Sequence, residues 1–219
     1  MVEPTLTGAR IHFACLFFLI SEQDMLPVII KFKFSNKYMS EKYKAKNTEG
    51  FYFITLTIID WIDLLVRPIY KHILIDSLQY CQINKGLNIY AYVIMPSHIH
   101  LIVKANGDNK LQDIVRDFKR FTSIKLIETI KEYPESRREW LLKKFEYAAK
   151  RIRRNNQYKI WQDGYHPLEL TDNKMIEQRL NYIHNNPVVE EVVINPEDYK
   201  YSSARSYCGD NSVLSIERL

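Results

Sequence analysis

The chain has 219 residues, a length for one domain or one domain with extensions, and 46% hydrophobic residues, enough for a real core. Only 6 glycines rule out a glycine-rich phosphate loop, and 3 cysteines (Cys15, Cys81, Cys208), odd in number and far apart, rule out a disulfide framework or cysteine zinc site and fit a reducing cytoplasm. Lys and Arg number 31 against 26 Asp and Glu, so the net charge of +5 suits a polyanionic partner without proving one.

In chain order, Ile11 to Ile20 is apolar but too short to span a bilayer, and it lacks the flanks of a signal peptide. Met39-Ser40-Glu41-Lys42 reads as an ordinary start. Residues 1–38 are therefore expected to be an upstream extension, explained by an early start codon. Phe51 to Ile59 is rich in β-branched and aromatic residues and predicts a buried strand. Pro68 to about Asn84 predicts a helix, with Ile69, Ile73, Leu74 and Leu78 at helical spacing and Gly86 as its stop. Ile89 to Ile94 and His98 to Lys104 predict two antiparallel strands joined through Met95-Pro96-Ser97.

After the loop Asn106-Gly107-Asp108, Leu111 to about Lys131 predicts a long amphipathic helix with Ile114, Phe118, Phe121 and Ile124 or Lys125 near one stripe. Glu135 to Arg154 predicts a second helix ending in a basic run, and a short strand is expected within Trp161 to Leu170. Thr171 or Asp172 caps a further helix carrying Met175, Ile176, Leu180 and Ile183, which Pro187 should stop at about Asn186. Pro196 to Tyr207 is expected to pack on the domain, and 208–219 to form a tail. The order strand, helix, strand, strand, helix, strand predicts an α+β, ferredoxin-like βαββαβ sheet with helices on one face, plus an extra helical insertion.

Side chains alternate faces along a strand, so His98 and His100 share a face while Ile99 points to the other. A polar pair on so apolar a strand needs a partner or a pocket. Tyr182 and Asn186, four apart, share a helix face. Imidazole suits Mn²⁺ and transition metals, and an amide oxygen suits Mg²⁺ or Mn²⁺. A site of His98, His100 and Asn186 would leave open positions for water and a phosphate oxygen, with Tyr182 one turn away. Taken singly, each of these residues also reads as ordinary structure.

The runs Tyr92-Val93-Ile94-Met95-Pro96-Ser97-His98-Ile99-His100-Leu101-Ile102-Val103 and Tyr182-Ile183-His184-Asn185-Asn186-Pro187-Val188 resemble those of the single-tyrosine HUH transposases. They are most similar to the REP-associated tyrosine transposase branch. Trp161-Gln162, His166-Pro167-Leu168-Glu169-Leu170 and Pro196-Glu197-Asp198-Tyr199 to Ala204 also resemble that branch, over about residues 40–207. The resemblance implies the HUH nuclease fold, a divalent metal (Mg²⁺ or Mn²⁺) and a tyrosine that attacks single-stranded DNA. By position, His98 and His100 match the metal-binding pair, Asn186 the third ligand and Tyr182 the nucleophile. Hairpin DNA as target, a 5′-phosphotyrosine intermediate, a monomer or homodimer, and a cytoplasmic, nucleoid-associated location follow from the same resemblance. The insertion before Trp161 and the residues before Met39 depart from the family plan.

Beside such a site, Arg116, Lys119, Arg120 and Lys125 on the long helix and Lys150, Arg151, Arg153 and Arg154 on the next are expected to meet phosphates. Trp61, Trp140 and Trp161 are candidates to stack on unpaired bases, with core packing the alternative for each. His166 and Glu169 stay outside the catalytic set. Three other readings remain open: a domesticated DNA-binding or nicking protein acting on repetitive palindromic elements without transposition, a non-enzymatic nucleic-acid binder, and a metal-dependent hydrolase that uses water with Tyr182 structural.

Overall fold

The computed structural model describes residues 45, 47, 49–107, 109–151 and 157–219. The expected extension 1–38, the apolar run Ile11 to Ile20, and Arg153 and Arg154 lie outside these. Four strands form one antiparallel sheet: β1 (Phe51–Thr57), β2 (Leu87–Ile94), β3 (His98–Ala105) and β4 (Leu168–Leu170), in the order β2-β3-β1-β4. This is the order of the expected βαββαβ unit, with β3 inserted between β1 and β2. Helix α1 (Pro68–Lys85) joins β1 to β2, and α2 (Leu111–Glu132) follows β3. The inserted helix is α3 (Arg138–Lys150), and α4 (Asn173–Val189) follows β4. Among the described residues no helix is long and apolar enough to cross a membrane.

Local chemistry sets the boundaries. Pro68 opens α1, and Gly86 closes it in the left-handed region (φ 64°), donating its N–H to the Cys81 carbonyl. A Cβ there would lie 3.0 Å from the Asn106 carbonyl oxygen, so both backbone and space call for glycine. Asp172 caps α4 by accepting the Met175 N–H at 2.8 Å. Strand β2 begins two residues earlier than expected, because a bulge between Ile89 and Ala91 lets Leu87 and Asn88 pair with Ala105 and Lys104.

Other boundaries depart from the sequence reading. Helix α3 starts at Arg138, not Glu135, because the buried Glu135 carboxylate accepts from Tyr70 Oη (3.1 Å) and the Arg137 N–H (3.1 Å) in the preceding turn. Helix α4 runs through Pro187 to Val189, since proline deletes only its own N–H and the next turn closes with the Glu190 N–H on the Asn186 carbonyl. Phe121 and Ile124 are exposed; the buried stripe of α2 shifts to Ile114, Phe118, Thr122, Leu126 and Ile130.

The core lies on the sheet face that carries Tyr52, Ile54, Leu56, Ile99, Leu101 and Val103, under α1 and α2, which pack on each other. The two crossover helices thus share a face, as expected, while α4 crosses the other, the face of His98 and His100. The C-terminal segment covers the outer edge of β2: the Ile94 N–H donates to the Tyr201 carbonyl, the Ser203 N–H to Tyr92 and the Glu217 N–H to Ile89. Leu214 is buried beneath it.

His184 ties α4 to this segment. Its Nε2 is 2.9 Å from Ser203 Oγ, and its ring lies against Tyr207. Burial pulls its pKa from the ordinary 6.5 to about 4. The unfolded chain takes up this proton first, so the stabilisation is complete above about pH 6.5 and is lost as pH falls toward 4, on the order of 3 kcal/mol at the acid end. Unfolding midpoints between about pH 7 and pH 4 should therefore fall less steeply for His184→Gln than for the parent chain. Equal slopes would remove His184 from the account.

Candidate active site

Ile99 is fully buried in the core, and this turns His98 and His100 together toward α4. Their rings lie 4.7 Å apart, inclined by 70°. Each has a hydroxyl on Nδ1: Ser97 Oγ at 3.1 Å from His98 and Thr55 Oγ1 at 2.9 Å from His100. The strand register explains the second, because Thr55 stands directly opposite His100 across the β1–β3 pair. Phe53 stacks on the His100 ring at 5.3 Å and 21°.

Burial keeps both imidazoles neutral at pH 7. It lowers His98 to about 4, against a smaller opposing effect of the Asn186 side chain, and it holds His100 well below the ordinary value, helped by His98 and Arg179. A neutral imidazole is the form that binds metal.

Helix α4 brings Tyr182 and Asn186 to the pair. The Tyr182 ring meets His100 edge-on at 5.2 Å and Phe53 at 6.0 Å, and the residue is 41% exposed. Asn186, one turn on, is buried and adjoins both His98 and Tyr182. Burial raises the Tyr182 pKa; Arg179 and Asn186 act against it, and Glu190 acts with it. All four side chains meet within one chain.

Two buried polar atoms here have no hydrogen-bond partner: His100 Nε2 and Asn186 Oδ1. Such atoms cost about 1–3 kcal/mol each when left unpaired. Both are metal-donor atoms, one imidazole nitrogen and one hard carbonyl oxygen, so the donor set fits a divalent ion. No group of three His, Cys, Asp or Glu stands together among the described residues; the amide of Asn186 lies beside the histidine pair.

Arg179 is a cation that acts on His100 and Tyr182. Its guanidinium lies 5.1 Å from the Phe53 ring centre and makes no ion pair among the described residues. It is three residues before Tyr182, on the same helix face, so helical spacing alone could have found it. Thr55 could not have been found that way, because its role depends on strand register.

The cations expected on α2 and α3 stand differently. Arg116 pairs with Asp113 (2.5 Å) and Asp117 (3.2 Å), and Lys150 with Glu146 (2.6 Å). Lys119 donates to the carbonyls of Gln162 and Gly164. Arg120 is exposed, and Arg151 lies over the Tyr147 ring at 5.9 Å. Trp161 is no stacking residue: it is 3% exposed and donates Nε1–H to Thr122 Oγ1. Trp61 does reach the site, with its ring 5.3 Å from that of His98.

Because Asn186 Oδ1 is buried without a donor, Asn186→Leu should stabilise the metal-free protein by about 1–2 kcal/mol in urea unfolding with chelator present. A loss of stability would make Asn186 a structural residue.

Residues 62–150 match the family model described as transposase IS200 like. The match includes His98 and His100; Tyr182 and Asn186 lie beyond it. The fold is similar to a solved REP-associated tyrosine transposase bound to a REP hairpin, with 19% identity and a TM-score of 0.54 over 83% of this chain and 99% of that one. A putative transposase from Deinococcus radiodurans is also similar, with 19% identity and a TM-score of 0.37 over 67% of this chain and 97% of that one. No curated protein matches the chain. The chain is thus similar to IS200-like transposases over residues 62–150, and it shares its fold with a solved REP-associated tyrosine transposase.

Proposed function

We propose that this protein is a metal-dependent, single-strand DNA transposase that cleaves and rejoins DNA through Tyr182. The observation that carries the reading is the pair of orphaned donor atoms, His100 Nε2 and Asn186 Oδ1, beside a half-exposed tyrosine. A fold maintained at that cost is accounted for if something absent from the bare chain completes the site. His98, His100 and Asn186 would hold Mg²⁺ or Mn²⁺, which when bound supplies positive charge to a phosphate oxygen.

The residues of the chain do the rest. Thr55 and Ser97 fix the two rings, so the imidazoles need no reorganisation. Arg179 offers a guanidinium to the incoming phosphate and favours loss of the Tyr182 phenolic proton. Tyr182 releases its phenolic proton to solvent, and its Oη attacks phosphorus to form the O–P bond of a 5′-phosphotyrosine while the P–O3′ bond breaks. The leaving oxygen takes a proton from solvent and departs as a 3′-hydroxyl. Because the bond energy is stored in the adduct, a 3′-hydroxyl can reverse the step and join strands without ATP. One chain supplies every side chain of this scheme.

Hairpin-containing DNA is the proposed target, since the solved relative of the same fold carries a REP hairpin. Incubation of the full chain with labelled hairpin DNA bearing a single-stranded flank, in Mn²⁺, should give a covalent adduct on a denaturing gel. Tyr182→Phe should abolish it while DNA binding persists. Cleavage without any adduct would instead indicate a hydrolase that uses water. Arg179→Gln should slow adduct formation about tenfold or more with intact folding, by loss of charge stabilisation at the phosphate. An unchanged rate would remove Arg179 from the scheme.

A further inference from the structure

Trp61 lies just past the end of β1, next to the site and outside the core. It is 60% exposed, whereas its neighbours Ile59 and Ile62 are buried. The backbone beneath it is fixed on both sides. The Ile58 N–H donates to the Ser97 carbonyl and the Ile59 N–H to Ile160, both at 2.8 Å. The Trp61 and Ile62 N–H groups close the turn on Ile58 and Ile59 at 3.1 Å.

Within that turn two consecutive residues other than glycine hold positive φ, Asp60 at 50° and Trp61 at 56°. A bulky side chain is a true outlier there, where glycine or asparagine would sit without strain. The core gains little from this indole, because most of it faces water. Its ring does have a defined neighbour: it meets the His98 ring nearly perpendicularly, at 71° and 5.3 Å. The indole is therefore an aromatic plate with uncovered surface, anchored by a rigid turn beside the paired histidines. Strained, over-determined backbone of this kind gathers at binding sites.

We infer that Trp61 is a stacking platform for the base next to the phosphate that Tyr182 attacks. This rests on the reading of the site as a DNA-cleaving centre, and it adds a constraint on the substrate. A base can lie on the indole only if it has left the double helix, so Trp61 selects unpaired DNA at the cleavage position, whatever its sequence. It is a positioning residue: it orients the strand and takes no part in bond making.

The test is equilibrium binding of the full chain to a labelled oligothymidylate of about sixteen nucleotides, with chelator present so that no cleavage occurs. A duplex of the same length serves as the second probe. Trp61→Ala should weaken single-strand binding by about tenfold to a hundredfold and leave duplex binding unchanged. Trp61→Phe should retain most of the affinity, and Trp140→Ala, exposed but remote from the histidine pair in sequence, all of it. In Trp140→Phe, where only Trp61 and the buried Trp161 remain, adding the oligonucleotide should quench the tryptophan emission, a change that a structural role would not produce. Parental affinity in Trp61→Ala, or equal losses on both probes, would overturn the inference while leaving the DNA-cleaving reading intact. A parent chain that binds neither probe would overturn both.

Discussion

Ile99 sits between two histidines on a strand whose geometry gives it no choice of direction. It is fully buried in the layer between the sheet and α1 with α2. A slip of one residue would send Ile99 to the α4 side and drive two imidazoles into an aliphatic core, at the cost of desolvating two polar rings without partners. The hydrophobic demand of one residue therefore fixes the orientation of its two neighbours. Thr55, Phe53, Tyr182 and Asn186 then meet the rings because β1 pairs with β3 in one register and α4 lies across the same face.

The site works against the stability of the chain. Burial holds His98 and His100 neutral and raises the Tyr182 hydroxyl, and two donor atoms remain unpaired beneath α4. None of this helps folding. The opposing contributions lie elsewhere: in the continuous core, in the C-terminal segment sealing the edge of β2, and in the His184–Ser203 contact that holds α4 down. Local destabilisation, held in place by a rigid surround, is the general signature of a binding or catalytic centre.

Where a residue's role depends on its own strand or helix, the sequence was legible. Strand alternation placed the histidines, and helical spacing placed Asn186 one turn from Tyr182. Proline and glycine marked both ends of α1. What depends on partners distant in sequence was not legible. Thr55 acquires its role from pairing with β3, and Glu135 ends a helix early because Tyr70 and Arg137 claim its carboxylate. Trp161 and Trp61 look alike in sequence, yet one is buried against Thr122 and the other is held out in water by a strained turn. The basic residues of α2 and α3 looked like a phosphate track, but Arg116 and Lys150 are engaged within their own helices, while Arg179 adjoins the site.

The most direct test of the central claim is anomalous diffraction at the manganese edge from crystals of the full chain soaked in Mn²⁺. A single strong peak is expected within coordination distance of His98, His100 and Asn186 Oδ1. The same soak of His100→Ala crystals should lose it. A peak elsewhere, or none beside a fully ordered histidine pair, would contradict the account and leave the orphaned donor atoms without a function.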